Sequence, residues 1–212
     1  MTTYQLFFQQ LGQNQFDYLF LAISYFLGAI PFGYLITRIF LGFDIRQSGS
    51  GNIGMTNVIR AGGKIPGIAT FLLDFFKGTL AVFLPTYYNA SEIAILLCAL
   101  LAVFGHTKPV FLKFKGGKGV ATNLGVWVLL DWRIFLAAAG SWVLIFLWKK
   151  ISSLSALISL IILPIVAYFL YPREPMFALS LILTLYIIYL HHDNIRRLIK
   201  GDEKVLSTAP KN

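Results

Sequence analysis

Ser50, Asn52, Thr56, Asn57 and Arg60 lie close together in the stretch SGSGNIGMTNVIRAGGK, residues 48–64, interleaved with Gly49, Gly51 and Gly54. The chemistry open to such a set is anion binding. Glycine permits a positive φ and lets a ligand approach the backbone. Successive N–H groups in a tight turn form a concave anion nest, hydroxyls and amides donate hydrogen bonds, and an arginine clasps a phosphate with two donors at once. Residues 49–54, GSGNIG, also match G-x-G-x-x-G letter for letter. That pattern signals dinucleotide binding only between a strand and a helix of a βαβ unit. Here a membrane-type apolar segment precedes it and no soluble βαβ unit follows. A flexible linker is the plainer alternative, but a linker has no need of two asparagines, a threonine and an arginine at this spacing.

A second stretch, GHTKPVFLKFKGGKGVAT (105–122), joins Lys115 and Lys118 to Gly116, Gly117 and Gly119. It departs from a Walker A loop, G-x-x-x-x-G-K-[ST]. Leu112 stands where the first glycine belongs, and Gly119 follows the lysine where Ser or Thr belongs. A glycine-rich turn that opens a helix at about Val120 still offers free N–H groups and the positive end of the helix dipole to an anion. His106 suits a structural hydrogen bond as well as it suits a functional role. The third stretch, HHDNIRRLIKGDE (191–203), places His191 and Asn194 three residues apart, on one face of a helix, where they can address one ligand. The plainer readings are a basic turn for the second stretch and an interfacial helix end for the third.

The elements that must position these groups are apolar helices. The chain has 212 residues, only 13% of them charged, with a mean hydropathy of +0.72. Soluble domains carry about 25% charge. Seven apolar segments run over roughly 17–41, 66–88, 91–107, 119–130, 132–148, 151–171 and 175–190. About 20 apolar residues cross a bilayer as a helix, and open strands cannot do so because their backbone groups would be unpaired in lipid. The fourth segment, about 18 Å of helix, is too short to cross unless it borrows residues before Val120. Five full spans and two partial ones would also fit. The expected fold is therefore an all-α integral membrane protein of about seven transmembrane helices. Residues 1–212 are read as a single polytopic domain, with a polar N-terminal segment at 1–15 and a flexible tail at 205–212. The N-terminal residues lack the basic start and cleavage site of a secretory signal, so the first apolar run is read as a permanent helix.

Basic residues collect on cytoplasmic loops. If alternate connections face opposite sides, one side holds Arg46, Arg60, Lys64, Lys108, Lys113, Lys115, Lys118, Lys149, Lys150, Arg196, Arg197, Lys200, Lys204 and Lys211, and the other only Arg133 and Arg173. The N-terminus is expected outside and the C-terminus in the cytoplasm, with all three polar stretches on the cytoplasmic face. Topology and anionic headgroups account for Lys149, Lys150 and the end of the tail. They do not account for the Gly, Asn, Ser, Thr and His that cluster in the other basic regions.

Inside the second segment, Asp74 and Lys77 stand at i and i+3. Ionisable groups in a membrane are expensive and usually paired, so an internal ion pair is expected. The sharper alternative is that they shape the site from behind. Cys98 is the single cysteine and is read as a packed or lipid-facing residue. The polar stretches contain no Cys nucleophile, no Ser-His-Asp order, no carboxylate pair and no metal-ligand spacing. No metal, other cofactor or nucleic-acid partner is expected. The three stretches together imply a site for a water-soluble phosphate compound at headgroup depth, with helices able to hold an acyl chain.

At these residues the chain resembles the bacterial acyl-phosphate:glycerol-3-phosphate acyltransferases, the PlsY family. Ser50-Gly51-Asn52-Ile53-Gly54 with Thr56, Asn57 and Arg60 is similar to the family's S-G-N-[IV]-G-[AS]-T-N-x-x-R. Gly105-His106, Pro109-Val110-Phe111, Phe114 and Gly116 through Thr122 resemble its second motif. His191, Asn194-Ile195, Arg197-Leu198, Gly201 and Glu203 resemble its third. Met55 departs from the small residue usual there. The resemblance covers about residues 20–205. It implies acyl transfer from a long-chain acyl phosphate to the 1-hydroxyl of glycerol 3-phosphate, giving lysophosphatidate and inorganic phosphate, the first step of bacterial phospholipid synthesis. An acyl phosphate is a mixed anhydride with a good leaving group, so positioning and electrostatic stabilisation suffice.

On this reading Ser50, Gly51, Asn52, Gly54, Thr56, Lys115, Gly116, Gly117, Lys118 and Gly119 meet the acyl phosphate. Asn57, Arg60, His191 and Asn194 meet glycerol 3-phosphate. Ser50, Lys118 and His191 are the expected catalytic residues, with His106, Arg197 and Glu203 as further candidates. The hydroxyl proton goes either to the donor's own phosphate or to His191. The expected location is the bacterial plasma (inner) membrane. The expected partners are the two substrates and the bilayer, with the enzyme that forms acyl phosphate as an additional candidate. An organic-phosphate transporter is the alternative from another class, but transporter sites usually lie at the bilayer midplane between repeated halves, and no repeat is visible here.

Overall fold

The computed structural model of the chain describes residues 11–172 and 174–206. The first ten residues of the polar N-terminal segment, Arg173, Lys211 and the rest of the tail after Leu206 lie outside them. Every regular element among the described residues is helical. The α-helices are α1 Asp17–Ala29, α2 Phe32–Phe40, α3 Met55–Gly62, α4 Lys64–Tyr87, α5 Glu92–Thr107, α6 Val120–Leu130, α7 Trp132–Lys149, α8 Ser152–Leu170, α9 Pro175–Leu190 and α10 His192–Ile199. Lys64–Tyr87, Glu92–Leu112, Trp132–Lys149 and Ser152–Leu170 are each long and apolar enough to cross a bilayer. The count rises to six if each of the broken pairs α1/α2 and α9/α10 makes one crossing. The first apolar run is thus two helices, because Pro31 has no N–H to continue the ladder. The fourth run forms α6, whose 11 residues span only about 17 Å. It does not extend before Val120, because Gly119 has a φ of +88°.

The chain forms two compact units, Met1–Pro31 with Asp74–Leu130, and Phe32–Leu73 with Asp131–Asn212. In the first unit, Asp17 ties the start of α1 to the start of α5. Its carboxylate accepts from Ser91 Oγ at 2.7 Å, from Ser91 N at 3.1 Å and from Gly12 N at 2.9 Å. Ser91 in turn caps α5 by accepting from Ala94 N. α6 lies tight against α4. A Cβ at Gly78 would collide with the Thr122 carbonyl, and one at Gly125 with the Phe75 carbonyl. Thr79 Oγ1 donates to the Gly125 carbonyl at 2.9 Å. Small residues allow this approach where lipid supplies no hydrophobic drive for association.

In the second unit, α7 and α8 form an antiparallel pair and α9 packs on α8. Ser159 Oγ donates to the Ala138 carbonyl at 2.7 Å and Thr184 Oγ1 to the Leu160 carbonyl at 2.9 Å. Leu160 and Leu163 of α8 and Leu183 and Ile187 of α9 are buried. At the far end of the pair, Asp131 caps α7 through Arg133 N and Ile134 N. It also accepts from the Arg133 guanidinium and from Tyr171 Oη, both at 2.6 Å. The hydrogen bonds of Arg133 outweigh the burial of Asp131 and, with those of Tyr171 and the backbone, hold its carboxyl well below the usual range.

Candidate active site

The second unit holds the Ser50 and His191 stretches. The Ser50 loop is held from inside by Asn57, which is 2% exposed. Asn57 Nδ2 donates to the Ser48 and Asn52 carbonyls at 2.9 Å each, and its Oδ1 accepts from Ser50 N at 3.0 Å. Asn52 Oδ1 accepts from Gly54 N at 2.8 Å, an Asx turn that leads into α3. Gly51 sits at φ +72° and Gly49 at φ +57°. Ser50 is exposed at the crest between them. From Met55 to Gly62 the stretch folds into a short helix, with Gly54 at its N-cap. Thr56 Oγ1 shares a hydrogen bond with Ser152 Oγ at 2.8 Å.

Glu203 gathers the third stretch around itself. Its Oε1 accepts from Asn194 Nδ2 at 2.8 Å and Ser153 Oγ at 2.9 Å, and its Oε2 from Arg197 Nε at 2.6 Å. Burial opposes ionisation of Glu203, but these three hydrogen bonds outweigh it and hold the carboxyl below its ordinary range. Arg60 donates to the Lys204 carbonyl at 2.9 Å. Burial lowers the Arg60 guanidinium and Glu203 opposes the shift, but an arginine stays charged in either case. α10 turns away from α9 by 63° at His191. The buried His191 ring has Nδ1 2.8 Å from the Ile187 carbonyl. A carbonyl only accepts, so Nδ1 carries the hydrogen, and in the neutral ring the lone pair lies on Nε2. Leu206 N donates to the Lys150 carbonyl at 2.8 Å, so the start of the expected flexible tail is seated on the chain.

The first unit holds the Lys118 stretch. Gly116 N donates to the Thr107 carbonyl at 3.2 Å and Gly117 N to the His106 carbonyl at 3.1 Å. These two N–H groups complete the C-terminal end of α5, so they are not the free donors expected from the sequence. The first turn of α6, which opens at Val120, presents the positive helix end to an anion. Lys115 is exposed and Lys118 is half-buried. His106 lies directly under Gly117. Asp74 Oδ1 stands 2.8 Å from Lys77 Nζ, the expected internal ion pair, and 3.5 Å from His106 Nδ1.

Sequence reasoning did not single out Ser152 and Ser153, which contact Thr56 and Glu203. Their signal was a polar pair one residue after Lys149 and Lys150, at the mouth of an otherwise apolar run. Among the described residues no group of three or more His, Cys, Asp or Glu could hold a metal ion.

Fold and site chemistry together define an integral membrane protein, crossing the bilayer several times, whose polar loops carry the residue types that bind phosphate. The family model for glycerol-3-phosphate acyltransferase matches residues 18–201, and the chain belongs to that family. It is 43% identical over 194 residues to the glycerol-3-phosphate acyltransferase of Bartonella henselae, covering 90% of this chain and 92% of that one. It is 45% identical over 183 residues to that of Rhodopseudomonas palustris, covering 86% and 92%. Two crystal structures of PlsY, an integral membrane glycerol 3-phosphate acyltransferase, superpose on it. The glycerol 3-phosphate form has a TM-score of 0.86 and 36% identity, and the lysophosphatidic acid form has 0.82 and 35%. Each match covers 91% of this chain and 96% of the other.

Proposed function

We infer that this chain transfers a fatty acyl group from an acyl phosphate to the 1-hydroxyl of sn-glycerol 3-phosphate. The hydroxyl oxygen bonds to the acyl carbon, the bond from that carbon to the phosphate oxygen breaks, and inorganic phosphate leaves with 1-acyl-glycerol 3-phosphate as product. The observation that carries this reading is the pair of solved relatives, one in a glycerol 3-phosphate form and one in a lysophosphatidic acid form, the acceptor and the product of this reaction.

The roles follow from the chemistry of each group. Lys118, Gly119 and the first turn of α6 neutralise the phosphate of the donor, with Lys115 adding charge at the entrance. Gly116 and Gly117 shape that turn. Ser50, at the crest between two left-handed glycines, donates to the oxyanion that develops on the acyl carbonyl oxygen, with Gly51, Asn52, Gly54 and Thr56 forming its loop. Arg60 pairs with the phosphate of glycerol 3-phosphate. His191 Nε2 accepts from the attacking hydroxyl, and the proton ends on the departing phosphate. Asn194 acts beside His191, and Asn57 acts on the acceptor through the loop it holds. Residues 1–212 act as one acyltransferase domain in the bacterial plasma (inner) membrane. The basic loops face the cytoplasm, where the enzyme that forms acyl phosphate is a partner.

The test is an assay of purified protein with palmitoyl phosphate and radiolabelled glycerol 3-phosphate, beside palmitoyl-CoA as control donor. Labelled lysophosphatidate from palmitoyl phosphate alone is expected. Product from palmitoyl-CoA alone, or none from either donor, overturns the reading.

A further inference from the structure

Beneath the glycine turn runs a line of buried polar groups to which acyl transfer, as described above, gives no task. Lys77 Nζ donates to the Ile30 carbonyl at 2.8 Å, at the break that Pro31 makes after α1. The same ammonium stands 2.8 Å from Asp74 Oδ1, which is 3.5 Å from His106 Nδ1. The opposite edge of that ring faces the turn. A Cβ built on Gly117 would collide with His106 Nε2 and Cε1. The three side chains are 2%, 2% and 4% exposed. The turn rests on the ring on one side and, through Gly117 N, on the His106 carbonyl on the other.

Helix packing alone does not require this arrangement. Ionisable groups at such depth are costly, and apolar residues of similar volume often serve packing as well or better. The line ends against the backbone one residue before Lys118. Asp74 Oδ1 favours a hydrogen on Nδ1 and draws that edge of the ring toward itself electrostatically. The separation of 3.5 Å exceeds an ordinary hydrogen bond of about 2.7–3.2 Å, so the ring keeps room to settle as the turn loads. Lys77 holds the carboxylate in place from the other side.

We propose that Asp74 and His106 are positioning residues for acyl transfer: the Asp74-aligned His106 ring sets the height of the Gly116–Gly119 turn and so aims Lys118 at the donor phosphate. The proposal rests on the acyl-transfer reading. Product formation by the wild-type protein tests that reading separately.

The experiment measures kcat, KM for both substrates and melting temperature for purified variants in detergent. His106→Phe keeps a flat ring of similar size and removes its polarity. It is expected to lower kcat by about tenfold or more, a loss of about 1.4 kcal/mol per tenfold, with the melting temperature kept. Gly117→Ala is expected to lose most activity, because its Cβ strikes the ring. His106→Ala combined with Gly117→Ala makes room for that Cβ but lacks the ring, so it is expected to keep a kcat about tenfold or more below wild type. Asp74→Asn is expected to lower kcat as His106→Phe does, and the pair together no further, because both act through one ring. A wild-type kcat for His106→Phe, or for the double Ala variant, overturns the proposal. Independent, multiplying losses for Asp74→Asn and His106→Phe overturn the part given to Asp74. If Asp74→Asn does not fold, the His106 and Gly117 variants decide.

Discussion

The Asn194 amide donates to Glu203 Oε1 across 2.8 Å, so a residue expected from its spacing to address substrate also holds the chain's own carboxylate. With Ser153 and Arg197 on the same group, Glu203 joins α8, α10 and the segment beyond α10. Glu203→Ala leaves buried donors unsatisfied and is expected to cost about 1–3 kcal/mol of stability. The pH dependence follows from the direction of the shift. The folded pKa lies below the ordinary value of 4.5, so the folded state binds fewer protons there than the unfolded one. The contribution is complete above that value and is lost as pH falls through the lower, folded one. Melting temperatures in detergent from neutral to acid pH should fall less steeply in that range for Glu203→Gln than for wild type. Parallel acid limbs would count against Glu203 as an ionised hub.

Asn57→Asp keeps the shape of the side chain and removes both Nδ2 donors. A carboxylate would then face the Ser48 and Asn52 carbonyls that those donors now satisfy. Loss of stability by about 1–3 kcal/mol is expected, together with a fall in kcat as the Ser50 crest loosens. A variant with normal kcat and stability, altered only in KM for glycerol 3-phosphate, would show that Asn57 acts on the ligand directly.

How much of this was legible in the sequence depended on how local the cause was. The helical segments were readable because apolar length states them directly, and α6 begins at Val120 as the glycine turn implied. Pro31 also stood in the sequence, but a continuous apolar run of 25 residues, 17–41, masked the break it makes. The helix Met55–Gly62 was hidden because glycine and small polar residues signal loops. The side chain of Asn57 turns inward and leaves Ser50 at the crest, an orientation that depends on the fold of the loop. The Glu203 hub joins residues 50 positions apart, Ser153 and Glu203, and no local pattern encodes such a pair. The N–H groups of Gly116 and Gly117 were expected to be free because the return of the turn onto α5 is a tertiary contact.

Lys118→Ala is expected to lower turnover by about 10²–10³-fold, the range for removing one preorganised electrostatic group, while the protein still purifies as a folded species. Lysophosphatidate formation at saturating palmitoyl phosphate measures it. A loss within about tenfold, or about 1.4 kcal/mol, would remove Lys118 from the donor site.

The proposed orientation is tested by labelling single cysteines in intact cells with a membrane-impermeant thiol reagent. Cys98 is buried, so wild type supplies a quiet background. Lys64, Lys113 and Lys200 are exposed, as is Tyr87 at the other end of α4. Cysteine at Tyr87 should label from outside, and cysteine at the three lysines only after the membrane is opened. The reverse pattern would invert the topology and place the polar loops outside.

The GSGNIG stretch supplies the last prediction. Gly51 stands at φ +72°, and a Cβ there would lie 3.1 Å from the Arg46 carbonyl. Both the left-handed backbone and the tight contact oppose any side chain, so Gly51→Ala costs about 1 kcal/mol or more. That cost falls on an exposed crest, away from the packed helices, so a modest drop in melting temperature is expected. The effect on activity should be much larger, because the crest carries Ser50. Ser50→Ala removes a single hydroxyl from an exposed position and should leave stability unchanged. If that hydroxyl serves the oxyanion, its loss lowers kcat by about 10²–10³-fold, or about 2.7–4 kcal/mol. Side-by-side kcat and melting measurements on the two variants decide the matter. Activity that falls only in step with stability would make the stretch a connector, and its match to a nucleotide-binding pattern would be a coincidence of letters.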